Sequence, residues 1–162
     1  MMLATPPAHA APAPAPIVRY AFNQSQLGET LAVWRESAPP GAACSPAGEV
    51  TTCRAPLVPL GGGYVARNLT FRFVNGELAR INLHTSIDAF SWVMNRIDTR
   101  FGGPTRIVRN DIAADSMEFP HVRDVWSNGR ATIVVDDPSQ DMATLRVTYT
   151  LDSLASALPP PS

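Results

Sequence analysis

Two histidines, two cysteines and a run of carboxylates are the side chains whose chemistry this chain could use. His84 lies close in sequence to Ser86 and Asp88, and His121 to Glu118 and Asp124. Either could be imagined in a Ser-His-Asp arrangement or a metal site. No H-E-x-x-H, no G-x-S-x-G and no tight group of metal ligands accompanies them. His84 ends one expected strand and His121 begins another, where solvated polar residues are ordinary. The chain is therefore expected to be non-enzymatic, with no catalytic residues, metal or cofactor. The alternative is a small envelope hydrolase using His84 or His121.

Other groups carry weaker signals. Gly61-Gly62-Gly63 lacks the G-K-[ST] that completes a phosphate loop, and the chain contains no lysine, so the glycines are expected to supply slack. Asp136, Asp137 and Asp141 fall within six residues, but the glycine and terminal glutamate of a calcium loop are missing, which favours turn chemistry. Cys44 and Cys53 are nine apart in a Gly/Pro/Ser-rich segment, too far for a C-x-x-C redox pair and without further zinc ligands. They are expected to form a disulfide that closes a short loop.

That pairing fits the N-terminus. Ala8-His9-Ala10 has the A-x-A pattern of a signal-peptidase site, and an Ala-Pro run follows it. Residues 1–16 are expected to be a signal-peptide remnant and disordered tail, 17–158 one domain, and 159–162 a second disordered tail. Export to the periplasm or the exterior follows from this reading. The thirteen basic residues are all arginine, and with sixteen prolines this is the composition of a GC-rich bacterial genome. Apolar residues make up 45% and charged residues 17%, as in a globular domain, and the net charge of −1 steers it towards neither nucleic acid nor anionic lipid. No apolar run approaches the roughly 18 residues of a membrane span, so no membrane insertion is expected.

Two helices and several strands must position these groups. Thr30 can cap a short first helix lined by Leu27, Leu31 and Trp34 and stopped by Pro39-Pro40. Thr85 and Asp88 form a capping-box pattern ahead of a second helix, whose stripe is Phe90, Val93, Met94, Ile97 and Phe101. Gly102-Gly103-Pro104 ends it. Trp92 lies about 200° from Phe90 at 100° per residue, off that stripe. It is expected to anchor a partner, with Asp88 and Asn95 as its polar rim, unless a loop covers it.

Two Asn-Gly pairs mark hairpins. At Asn75-Gly76, burial predicts a three-residue bulged loop pairing Phe71 with Ala79 and Leu69 with Ile81. At Asn128-Gly129, a tight turn would pair Trp126 with Ala131 and Val122 with Val135. Residues 143–151 alternate without a break, which predicts a strand with one buried face and one wet face. The order implies two related halves, each a helix followed by a hairpin, and an α+β two-layer sandwich of antiparallel sheet with two helices on one face.

Three segments carry a resemblance: Leu27-Gly28-Glu29-Thr30-Leu31, Phe73 to Ile81, and Arg100-Phe101-Gly102-Gly103-Pro104. Together with the two-half order, they resemble small exported bacterial domains of the β-lactamase-inhibitor-protein type and the related outer-membrane assembly lipoprotein domain. The resemblance implies an exported domain that binds a protein or envelope component. It implies no lipid anchor here, because Cys44 lies far from any cleavage site.

Overall fold

A computed structural model describes residues 18–114, 117–139 and 142–160. The Ala8-His9-Ala10 motif, the expected tail to Pro16, Asp141 and the last two residues lie outside these. Strands β1 (Ala21–Phe22) and β2 (Ser25–Gln26) make a small hairpin before helix α1 (Leu31–Glu36). A four-stranded meander follows: β3 (Ala43–Ala47), β4 (Val50–Gly61), β5 (Tyr64–Val74) and β6 (Glu77–Ser86). A 3-10 turn, Ile87–Ala89, leads into α2 (Phe90–Phe101). The second meander is β7 (Arg106–Ala114), β8 (Met117–Ser127), β9 (Ala131–Asp137) and β10 (Thr144–Leu151), and a 3-10 helix, Asp152–Ala157, closes the chain. The last strands of the two meanders pair antiparallel. They join both halves into one eight-stranded sheet, β3-β4-β5-β6-β10-β9-β8-β7.

This corrects the expected two-helix α+β sandwich. The chain is mostly β, about 55% strand and 20% helical, and its helices are few and short. The difference lies in the segments around the two cysteines and after α2. The Gly/Pro/Ser-rich segment around the cysteines is strand and not loop, and Pro46 sits in edge strand β3. Pro56 and Pro59 lie in the part of β4 beyond its pairing with β3, which ends at Ala43 opposite Arg54. A missing N–H on an edge costs no ladder bond.

Both hairpin registers differ from expectation. Asn75 (φ 50°) and Gly76 (φ 81°) form the tight turn themselves, with Val74 opposite Glu77. The extra residue is Ala79, bulged out within β6, so Phe71 meets Ile81 instead of Ala79. Burial does match the faces, but through a bulge in the strand and not in the loop. In the second hairpin, Asn128 Oδ1 accepts the backbone N–H groups of Arg130 and Ala131, moving the turn to Gly129-Arg130. Trp126 then pairs with Ile133, and Val122 with Asp137.

One sheet face carries the core, with Leu69, Phe71, Ile81, Leu83, Ile133 and Val147 buried against the helices. From α2, Val93 and Ile97 are buried, and Phe90, Met94 and Phe101 are partly buried around them. Trp34 of α1 packs on Phe71 and Phe73 with ring centroids 4.8 and 5.4 Å apart. Thr30 caps α1 as expected, its hydroxyl accepting the Val33 N–H. At α2 the cap is different: Ser86 accepts the Asp88 N–H, while Thr85 is a buried residue of β6. The Gly102 stop is present, with φ 81°. At the other face, Leu154 and Leu158 pack on Val50, Val74 and Ala79, and the Pro159 carbonyl accepts from Arg80.

Cys44 and Cys53 are bonded, and they are directly opposed in β3 and β4. The bond therefore staples an edge hairpin; it does not close an irregular loop. Closure of a ring of about ten residues predicts a loss of roughly 2.5–3 kcal/mol on reduction. Urea denaturation with and without reductant measures this, and coincident midpoints would show that the disulfide contributes nothing to global stability.

Candidate functional site

Strand alternation places a second set of side chains on the sheet face away from α2. Opposed positions form a row across five strands: Arg67 of β5, His84 of β6, Arg146 of β10, Asp136 of β9 and Arg123 of β8. A parallel row runs from Arg54 through Thr70, Asn82 and Thr148 to Arg106. A third brings Arg72 and Arg80 face to face. Seven of the thirteen arginines thus share one face, and Asp136 is the only carboxylate among the described strand positions of these rows.

Asp136 is the hub of this face. Its Oδ1 accepts from Arg123 Nε at 2.7 Å, and its Oδ2 accepts from Arg146 Nη2 at 2.9 Å and Nε at 3.1 Å. His121 Nε2 stands 3.3 Å from Oδ1, and its Nδ1 lies 3.0 Å from Asn110 Oδ1. Burial pushes the Asp136 carboxyl up, but the hydrogen bonds and charges of Arg123 and Arg146 outweigh it and hold the group below the usual carboxylate range. Thr148 donates to Asn82 at 2.9 Å in the next row. The centre of this face is therefore a buried, hydrogen-bonded layer of Asn82, His121, Asp136, Arg146 and Thr148, and the arginines it leaves exposed are Arg54, Arg67, Arg106 and Arg123.

Arg80 is different. Burial and the neighbouring Arg72 guanidinium lower its pKa, and both Arg80 Nε and Arg72 Nη1 are buried without a hydrogen-bond acceptor. Arg80 also donates through Nη1 to the Pro159 carbonyl, so the C-terminal segment covers this pair of like charges.

The residues singled out in the sequence are dispersed. His121 meets Asp136, not Asp124 or Glu118. Asp124 falls on the opposite face, where burial raises its carboxyl. His84 Nδ1 lies 3.5 Å from the Thr144 hydroxyl, whereas Ser86 and Asp88 bond to each other at 3.3 Å. Asp136 and Asp137 point to opposite faces, and among the described residues no three His, Cys, Asp or Glu side chains gather as a metal site. Trp92 is half-buried: Tyr64 packs beside it at 6.1 Å and the Arg96 guanidinium lies 4.9 Å over its ring. Gly62 explains the glycine run, since a Cβ there would stand 2.7 Å from Trp92 Nε1. Asn95 is exposed on α2, and the Asp88 carbonyl accepts from the Tyr64 hydroxyl at 3.1 Å.

The arginine rows went unnoticed in the sequence because their members are up to about 90 residues apart. The available signal was the polar phase of the alternation, as in Arg80, Asn82 and His84 or Thr144, Arg146 and Thr148. Among the described residues no helix is long and apolar enough to cross a membrane. Compared with known proteins, the chain matches no family model, no curated protein and no solved structure.

Proposed function

We propose that this chain is an exported, non-enzymatic domain that binds an acidic protein surface through the arginine-bearing face of its sheet. The observation that carries the reading is charge segregation. A protein of net charge −1 leaves Arg54, Arg67, Arg106 and Arg123 exposed on one face, where the only carboxylate among the described positions of the cross-strand rows is the buried Asp136. Such a face steers an oppositely charged partner and fixes its register. The internal bonds around Asp136 hold the surface rigid before a partner arrives, which lowers the ordering cost of association. The Cys44–Cys53 disulfide is consistent with an oxidising compartment, periplasmic or exterior.

A polyglutamate peptide serves as the defined acidic probe. Arg54, Arg67 and Arg106 are exposed on this face, so Arg54→Glu/Arg67→Glu/Arg106→Glu is expected to leave the fold intact. It should weaken peptide binding at least tenfold at low salt, and wild-type affinity should fall steeply as salt rises. Equal affinity of wild type and triple variant would reject the face as the docking surface.

A further inference from the structure

The core-bearing side of the sheet, away from the arginine rows, has its own opening. α2 and the N-terminal strand leave a cleft of about 360 Å³, within the range of small-molecule sites. Leu83, Val147 and Tyr149 of the sheet form its floor, and Leu60, Val93 and Ile97 its walls. One rim is polar, carrying Asn95, Arg96 and Arg100 beside Trp92. A space with apolar walls and a charged rim is built for a ligand with two ends.

The two arginines are one helical turn apart on α2 and therefore project along the same edge. Arg96 lies over the Trp92 ring, and Arg100 lies 5.3 Å over the Phe101 ring. Arg100 Nη1 also reaches the carbonyls of Ala21 at 3.4 Å and Asn23 at 3.5 Å, which aims it across the mouth. Neither guanidinium forms an ion pair among the described residues, where every such pair centres on Asp136. Both act electrostatically on Tyr149. Burial raises that phenol far above its ordinary range despite them, so its hydroxyl remains a protonated donor.

We infer that this cleft binds one amphipathic anion, with its hydrocarbon chain inside the apolar cleft and its charged head between Arg96 and Arg100. Acyl carboxylates have this chemistry. So do anionic lipids in a bilayer, but a cleft of about 360 Å³ takes a single free molecule. The site is independent of the acidic-protein surface, which lies on the opposite sheet face.

Calorimetric titration with monomeric decanoate, with decanol as the uncharged comparison, tests the inference. Wild type should bind decanoate saturably at one site and at least tenfold more tightly than decanol. Arg96→Ala/Arg100→Ala should lose that preference yet still bind decanol, and Arg96→Lys/Arg100→Lys should recover part of it, a pattern that a misfolded variant cannot give. The triple charge-reversal variant of the sheet face should bind decanoate as wild type does. Absence of saturable decanoate binding, or equal binding by the double alanine variant, would overturn the inference. So would sedimentation with phosphatidylglycerol vesicles without binding of monomeric decanoate, which would assign the arginines to a membrane surface.

Discussion

Asp136→Ala is expected to destabilise the protein by about 3–5 kcal/mol, because it strips the shared carboxylate from a buried cationic cluster. The Asp136 side chain is 3% exposed and Arg146 10%, so water cannot replace the lost oxygens. Arg123 is a different case at 44% exposure, and Arg123→Ala should cost no more than about 1 kcal/mol. Urea midpoints of the two variants separate these contributions, and a loss below about 1 kcal/mol for Asp136→Ala would show that the cluster is solvated. The same carboxylate gives a pH dependence. Its folded pKa is depressed, so its stabilisation is complete above the unfolded value of about 3.9. That stabilisation disappears as pH falls from there through the lower folded value. Wild type should therefore lose stability below about pH 4 more steeply than Asp136→Ala.

Trp34→Ala should be about as damaging, at about 3–5 kcal/mol. Helix α1 has only six residues, far short of the length at which a helix persists alone. Its single buried side chain, Trp34, packs on Phe71 and Phe73 and donates Nε1–H to Ser25 Oγ at 3.1 Å. Removing the indole opens a cavity over β5 and leaves the Ser25 hydroxyl without that donor. Loss of α1 amide protection in hydrogen exchange, at a lower denaturation midpoint, is the expected signature. A midpoint within about 0.5 kcal/mol of wild type would mean that α1 docks by other contacts.

Local signals were legible in the chain; pairings between distant segments were not. Thr30, the Val93–Ile97 stripe and the Gly102 stop are settled within one or two turns of helix, so they appear where the sequence places them. The strands near the cysteines were hidden because Pro46, Pro56 and Pro59 argue against a central strand, and only the strand order shows that they sit at an edge. Registers moved for a similar reason. Matching Phe71 to an apolar partner requires one extra residue somewhere, and composition does not say that Ala79 is the place to insert it. Asp136 looked like turn chemistry beside Asp137, since its partners Arg123 and Arg146 are brought to it by strands β8 and β10. Trp92 lies off the buried stripe, as its helical angle requires, and the Gly61-Gly62 turn half covers it.

Selection of an acidic partner by the arginine face is open to direct test. The most direct measurement immobilises wild type and Arg54→Glu/Arg67→Glu/Arg106→Glu side by side and compares the proteins each retains from envelope extract at rising salt. An acidic protein should be held by wild type, released as salt rises and missing from the variant, while near-UV circular dichroism shows both folded. The same protein retained equally by both would contradict it.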